Sequence, residues 1–213
     1  MDYKQFIVES GLRMLKSGLT VETWGNISVR DTETGLIYLT PSGMAYDSIR
    51  PEDVVVVNDK CEIVDGFRKP TIEAGMHVHI LNSRPEINAV VHTHPIYSQV
   101  FAAMHKDIPQ IIDEAAQLLG GPCRCAEYAL PGSPELAENV VRALGDKNMS
   151  CLMANHGAVC LGNDLDTAFH VCTVLEMTAQ IYQMVLAIGQ PVPLLQEDID
   201  FMRDFVLYRY GQR

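Results

Sequence analysis

Short apolar runs separated by segments of helical periodicity constrain the fold of this chain more than any other sequence feature. Val54–Val57 and Ala89–Val91 indicate buried strands, and Ser150–Ala154 indicates another. Amphipathic segments with apolar residues at helical spacing lie between these runs. Such interleaving is typical of an α/β fold, and no linker or repeat divides residues 1–213, so one domain is expected.

The same patterns give approximate bounds for the elements. A glycine-containing turn leads into a strand over residues 23–30, and further strands are predicted at residues 36–40, 54–57, 62–64, 89–94 and 150–154. Helices are predicted at residues 2–18, 72–83, 96–104, 134–144, 164–188 and 197–209. The pattern does not indicate how the strands pair, so the balance of parallel and antiparallel pairing stays open at this point.

The charge balance limits the partners. The chain has 213 residues with 16 Lys and Arg against 27 Asp and Glu, a formal net charge of −11. General binding to nucleic acid or to an anionic membrane requires a basic surface, so neither partner is expected. The polar N-terminus and the lack of a long uninterrupted apolar run predict a cytoplasmic location. The six Cys form no C-x-x-C pair and are expected to be reduced thiols.

Three histidines stand where predicted strands end. His92 and His94 are two residues apart on one strand, so their side chains leave the same face of the sheet. His156 follows another apolar strand, within Asn155-His156-Gly157. Any one of them could be a half-buried histidine without a ligand. The combination favours a divalent metal site, because neutral imidazole suits zinc and its neighbours in the transition series.

Further ionisable residues lie on the predicted helix at 72–83. His77 and His79 are also two apart, but in a helix such residues face different ways and do not chelate together. Glu73 lies at the helix start, where the helix dipole stabilises a carboxylate, and His77 shares its face one turn later. Glu73 could equally complete the histidine shell or act as a base. The positions of His105 and His170 indicate neither a metal site nor a catalytic role.

Five motifs occur in order along the chain. They are Gly25-Asn26-Ile27-Ser28, Thr40-Pro41-Ser42-Gly43, Lys69-Pro70-Thr71-Ile72-Glu73, His92-Thr93-His94-Pro95 and Asn155-His156-Gly157. Together they resemble one known family, the class II aldolases and adducins, and the resemblance extends from about residue 5 to the C-terminus.

The resemblance implies a single three-layer α/β/α domain around a largely antiparallel sheet, assembled as a homotetramer with active sites between subunits. It implies Zn²⁺, or Mn²⁺ or Co²⁺, held by His92, His94 and His156, with Glu73 as a fourth ligand that leaves the metal to act as the acid or base. It also implies that Tyr210, near the C-terminus, assists catalysis. The residues expected to bind a substrate phosphate are Gly25, Asn26, Ser42, Gly43 and Thr71.

Two positions depart from the aldolase pattern. Ile72 stands where aldolases usually have a serine, which removes one donor from the expected phosphate site. Glu114, preceded by Asp113, stands where the fuculose phosphate enzymes have a catalytic tyrosine. Either carboxylate could replace the phenol as a proton donor, or both could be surface acids in a loop.

The function that the resemblance implies is metal-dependent retro-aldol cleavage of a phosphorylated ketose. A fuculose 1-phosphate or a 5-deoxypentulose 1-phosphate would give dihydroxyacetone phosphate and an aldehyde. A divalent ion that binds the ketone stabilises the enediolate, which an enzyme without a Schiff-base lysine requires. The alternatives are a sugar-acid phosphate decarboxylase or a pentulose phosphate epimerase on the same site, and a non-catalytic adducin-like module.

Overall fold

The computed structural model describes residues 2–212, and its centre is one eight-stranded sheet. The strand order is β4-β3-β2-β1-β5-β8-β7-β6, and all neighbouring pairs are antiparallel except β6 with β7. The strands are β1 (Asn26–Arg30), β2 (Ile37–Leu39), β3 (Val55–Val57), β4 (Ile63–Asp65), β5 (Ala89–Thr93), β6 (Arg124–Ala126), β7 (Ser150–Met153) and β8 (Gly157–Gly162).

Helices surround this sheet. They are α1 (Tyr3–Lys16), α2 (Ala74–Ser83), α3 (Ile96–Ala103), α4 (Asp113–Leu118), α5 (Pro134–Leu144), α6 (Leu165–Ile188) and α7 (Gln196–Tyr208). Helices α2 and α5 pack together against β5 to β7, whereas α6 packs on β5 and β8 and contacts α3 and α4. Every residue of β5, β7 and β8 is buried, as expected for strands covered on both faces. The expected α/β fold around a largely antiparallel sheet is confirmed.

Most predicted elements are present, with small shifts at their ends. Helix α2 begins at Ala74 rather than at residue 72, because Glu73 occupies the N-cap position. The strand predicted at residues 62–64 is present as β4 and pairs with β3. Of the two alternatives for Asp113 and Glu114, the one that placed them in a loop is wrong about the loop, since both residues lie in the first turn of α4, with exposed side chains. Strands β6 and β8 were not predicted.

Helix α6 is long and apolar enough to cross a membrane by length and composition alone. Leu165, Phe169, Cys172 and Leu175 on this helix are fully or almost fully buried in the core that it forms with the sheet. Core helices of globular proteins have the same composition, so this feature is weak support for a membrane span.

The register brings the sequence motifs to one end of the sheet. Asn26 at the start of β1 pairs with His92 near the end of β5, and Thr93 pairs with Ala158 near the start of β8. The residues after β2 lie beside the segment that precedes α2, because Ser42 N donates to Lys69 O and Thr71 N donates to Thr40 O. Motifs that are far apart in the sequence therefore surround one point.

Close backbone approach at this end of the sheet requires glycine. A Cβ on Gly157 would lie 2.4 Å from Thr93 O and 3.1 Å from His92 Cε1, and a Cβ on Gly25 would lie 2.6 Å from His92 O. Gly25 also has φ of 76°, in the left-handed region that favours glycine. The hydroxyl of the buried Tyr46 donates to Gly25 O and fixes this turn.

We expect Gly157→Ala to lower the free energy of unfolding by at least about 1–3 kcal/mol, because the added methyl group meets a backbone carbonyl that cannot move aside. Gly75→Ala is the matched control: its Cβ would meet nothing within 4 Å, and Gly75 lies within α2. Alanine there should be neutral or stabilising. Urea denaturation of both variants measures the difference, and equal midpoints would contradict the steric argument.

Candidate metal centre

Three imidazole rings converge at the end of β5. His92 is the fourth residue of β5, His94 follows the strand, and His156 lies in the tight turn between β7 and β8. His92 Nε2 and His94 Nε2 are 3.0 Å apart, and the ligand atoms of the three histidines all lie within 4.8 Å of one another. His92 is fully buried, whereas His94 and His156 are half-buried, so the cluster opens on the side of the latter two.

The tautomer of His92 is fixed by the sheet. Its Nδ1–H donates to Ala158 O at 2.9 Å, and a carbonyl oxygen only accepts. In the neutral ring Nε2 therefore carries a lone pair directed at the other histidines. A ring nitrogen held in this way is the usual arrangement of a metal-ligating histidine.

Glu73 supplies the only carboxylate among the groups of this cluster. Although it occupies the N-cap position of α2, its side chain caps no backbone N–H of that helix. Oε2 lies 3.3 Å from His92 Nε2, and Oε1 lies 3.6 Å from His156 Nε2. The carboxylate of Glu73 therefore faces the histidines and does not cap the first turn of α2.

The donor set fits a divalent ion. Metal–nitrogen bonds of 2.0–2.1 Å in a tetrahedron separate the donors by roughly 3.3 Å, close to the distances within this cluster. Glu73 Oε1 and His156 Nδ1 are buried and form no hydrogen bond within residues 2–212, and Glu73 Oε1 is turned toward the rings. A carboxylate oxygen buried without a donor is costly unless a cation neutralises it.

The protonation states also suit a metal. Burial, together with the neighbouring imidazoles, lowers the pKa of His94 to about 3 and that of His156 to about 4. Burial of Glu73 opposes its ionisation, but His92, the Asn26 amide and His156 outweigh this and lower its pKa. Neutral imidazoles and an ionised carboxylate are the forms that bind metal.

A hydrogen-bonded chain lies behind Glu73. Asn26 Nδ2 donates to Glu73 Oε2 at 2.8 Å, and His77 Nε2 lies 2.5 Å from Asn26 Oδ1. His77 faces this network, whereas His79 is exposed on the other side of α2, as the helical spacing predicts. His105 and His170 lie outside the cluster.

The residues expected to bind phosphate lie beside the centre. Gly25 and Asn26 are at the start of β1, Thr71 is buried, and Ser42 and Gly43 are exposed. The Thr71 hydroxyl accepts a hydrogen bond from Glu73 N, which joins this region to the carboxylate. Ile72 is 66% exposed and offers no side-chain donor.

Tyr210, Asp113 and Glu114 are not brought to the cluster of their own chain. Tyr210 follows α7, is 66% exposed, and its N–H donates to Phe205 O. Asp113 and Glu114 lie on α4, which packs against α7. No hydrogen bond or ring contact joins any of the three side chains to the histidines in the described part of the chain.

Two side chains near the centre were missed in the sequence. The indole of Trp24 stacks on His94 with ring centroids 6.2 Å apart, and its position directly before Gly25-Asn26 is a usable signal. Glu176 on α6 accepts hydrogen bonds from Tyr97 N, Ser98 N and the Ser98 hydroxyl. It therefore caps α3 directly after His94-Pro95, and nothing in the local sequence indicates this contact.

Comparison with known proteins identifies the family. Residues 5–183 match the family described as Class II Aldolase and Adducin N-terminal domain. The protein belongs to the class II aldolase and adducin family.

The 5-deoxy-D-ribulose 1-phosphate aldolase of Bacillus thuringiensis serovar kurstaki is 39% identical over 195 residues, which are 92% of this chain and 90% of the relative. The L-fuculose phosphate aldolase of Escherichia coli K12 is 33% identical over 192 residues, 90% and 87% of the two chains. A solved L-fuculose 1-phosphate aldolase superposes with a TM-score of 0.93 over 96% of both chains, at 33% identity.

We expect His92→Ala and His156→Ala to lose bound metal, because each removes one of the converging donors. His170→Ala is the matched control, since that histidine is exposed on α6 outside the cluster. Elemental analysis of the purified proteins measures metal per chain. Full metal content in both cluster variants would show that the ion binds elsewhere.

The metal-free protein should lose stability as the pH falls below about 6.5. His94 and His156 stay neutral in the folded chain to about pH 3 and 4, but in the unfolded chain they take up protons near 6.5. The unfolded state then binds more protons, so the free energy of unfolding falls by about 1–2 kcal/mol per imidazole between pH 7 and pH 5.

Urea denaturation in the presence of a chelator measures this slope. His94→Gln removes one of the buried rings that produce this slope and should flatten it. An identical pH dependence in the variant and the parent protein would contradict the assignment.

Proposed function

We propose that this protein is a divalent-metal-dependent aldolase that cleaves a ketose 1-phosphate to dihydroxyacetone phosphate and an aldehyde. The observation that carries the proposal is the convergence of His92, His94 and His156 with the carboxylate of Glu73. The relatives that are named as aldolases of sugar phosphates support the same function. An adducin-like binding module would not need all four groups.

His92, His94 and His156 would hold the ion, with Glu73 beside them. Three neutral nitrogen donors and one carboxylate favour Zn²⁺, with Mn²⁺ and Co²⁺ as the other candidates. When bound, the ion supplies a Lewis acid that polarises the ketone of the substrate.

Glu73 moves the proton. In the cleavage direction the bond between C3 and C4 breaks and its electron pair stays with C3. The ionised Glu73 would take up the proton that the hydroxyl on C4 gives up as the aldehyde forms, and would then deliver this proton to C3. In the synthetic direction Glu73 removes that proton. The lowered pKa keeps the carboxylate ionised at neutral pH, ready to accept a proton.

The phosphate would bind where the starts of β1 and α2 meet the segment after β2. Gly25, Asn26, Ser42, Gly43 and Thr71 offer backbone N–H, amide and hydroxyl groups there. Neutral donors of this kind hold phosphate in many proteins. Ile72 gives no donor, so the phosphate contacts fall to its neighbours.

Apolar side chains near the centre favour a substrate with an unphosphorylated, methyl-ended tail. Trp24 and Ile96 are 56% and 74% exposed; one stacks on His94, and the other is two residues after it. Ile72 directly precedes Glu73. We rank a 5-deoxypentulose 1-phosphate, which would release acetaldehyde, ahead of L-fuculose 1-phosphate, which would release lactaldehyde.

The aldehyde end would be completed by a second copy of the chain. Glu114 and Asp113 lie on α4, and Tyr210 follows α7, which packs against α4. Within the described residues, none of the three side chains forms a hydrogen bond or ring contact with the histidines of its own chain. The C-terminal part of the chain also exposes many apolar residues, among them Ile188, Val192, Leu195, Phe201 and Tyr208. A homotetramer with sites between subunits satisfies both observations. We place the protein in the cytoplasm, where sugar phosphates are available.

The decisive experiment incubates the metal-loaded protein with each ketose 1-phosphate and follows products by NMR. Dihydroxyacetone phosphate and an aldehyde support the proposal. Release of CO₂ from a sugar-acid phosphate, or interconversion of pentulose phosphates without cleavage, would replace it with the corresponding decarboxylase or epimerase.

We expect Glu73→Gln to reduce kcat by about 10²–10⁴-fold, because the amide cannot transfer the proton. The variant keeps the three histidines and should still bind metal. Glu138→Gln, at an exposed position on α5, is the matched control and should keep full activity. A Glu73→Gln protein that retained parental kcat would remove Glu73 from the proton transfer.

A further inference from the structure

The hydrogen-bonded chain behind Glu73 is buried along its whole length. Ser28 and His77 are fully buried, and Asn26 and Glu73 are 5% and 3% exposed. Asn26 and Ser28 are two residues apart on β1, and Glu73 and His77 are four apart at the start of α2, so each pair presents one face to the other. The Ser28 hydroxyl lies 2.7 Å from His77 Nδ1.

The direction of every hydrogen bond in this chain follows from the carboxylate of Glu73. An ionised carboxylate only accepts, so Asn26 must present its Nδ2 to Glu73. Its Oδ1 then points the other way, toward His77, and must receive a proton from Nε2. A neutral imidazole has one N–H, so His77 Nδ1 is left to accept from the Ser28 hydroxyl.

The reversed arrangement is unfavourable at Glu73. A rotated Asn26 amide would set its oxygen against the carboxylate oxygen of Glu73, whichever ring nitrogen of His77 carries the proton. In a buried network such unpaired groups are costly because no water can replace the lost partners. Burial also keeps His77 neutral, since it lowers the pKa of the ring to about 3.

We propose that His77 is a positioning residue: its Nε2–H tautomer follows from the carboxylate through Asn26, its Nδ1 accepts from Ser28, and the ring so held keeps the Asn26 amide directed at Glu73 and Glu73 directed at the three histidines. His77 touches neither the histidine cluster nor, by its placement, the substrate. Its effect on proton transfer by Glu73 rests on the proposed function, whereas its tautomer does not.

The first test needs no activity. In metal-free protein with ¹⁵N-labelled histidine, long-range NMR correlations should show His77 protonated at Nε2 and unprotonated at Nδ1. Protonation at Nδ1 would overturn the proposal, whatever reaction the protein catalyses.

The second test isolates the proton-transfer step. Dihydroxyacetone phosphate is incubated in D₂O with metal-loaded protein, and exchange of its C3 proton is followed by NMR, with no aldehyde present. We expect His77→Leu to lower the exchange rate at least tenfold at unchanged metal content, and His77→Gln, whose amide can still donate to Asn26, to restore part of the loss. His79→Leu, on the exposed side of the same helix, should exchange at the parental rate.

Parental exchange in His77→Leu would overturn the positioning role. Should that variant fail to fold, Ser28→Ala decides, because it removes only the hydroxyl that donates to His77 Nδ1 and so loosens the ring: we expect a severalfold slower exchange, and parental exchange would refute the proposal. A parent protein that exchanged no C3 proton and cleaved no ketose 1-phosphate would fail the proposed function, while the tautomer measurement would still decide the chain of hydrogen bonds.

Discussion

The antiparallel pairing of β1, β5 and β8 is the constraint on which the rest of the site depends. It sets Asn26 opposite His92 and brings the turn that carries His156 against the end of β5. The pairing also lets Ala158 O accept from His92 Nδ1, which fixes the ring. Because Gly25 and Gly157 allow the backbones to approach this closely, a shift in register or an added side chain would separate all the donors at once.

Charge explains how an acidic protein can bind an anionic substrate. The chain has a formal net charge of −11, and burial lowers the pKa of His94 to about 3 and that of His156 to about 4, so these two rings carry no positive charge at neutral pH. The proposed divalent ion, backbone N–H groups and hydroxyls would supply local positive potential without a cluster of lysines and arginines. The proposed function therefore depends on a bound metal ion.

Helical and apolar periodicity was enough to place most helices and strands. The differences between the predicted and the observed elements arise from long-range contacts. The pattern predicted α5 at its observed bounds, whereas it missed β8, which follows β7 after a turn too short to separate two strands in an apolar stretch. It also predicted no helix at Glu114, because α4 is short and packs against α7, which is distant in the sequence. The capping of α3 by Glu176 is invisible in sequence, because the two partners are about 80 residues apart.

The sequence by itself determined the chemistry available: the histidine pair on one strand, His156 at a strand end, a carboxylate at a helix start and the order of motifs that indicates the family. These depend on local spacing, which periodicity fixes. Only the tertiary structure decided that Glu73 faces the rings instead of capping its helix, that Asn26 joins Glu73 to His77, and that Tyr210 and Glu114 lie away from their own centre. Those outcomes depend on strand register and helix packing, which bring together residues that no local pattern connects.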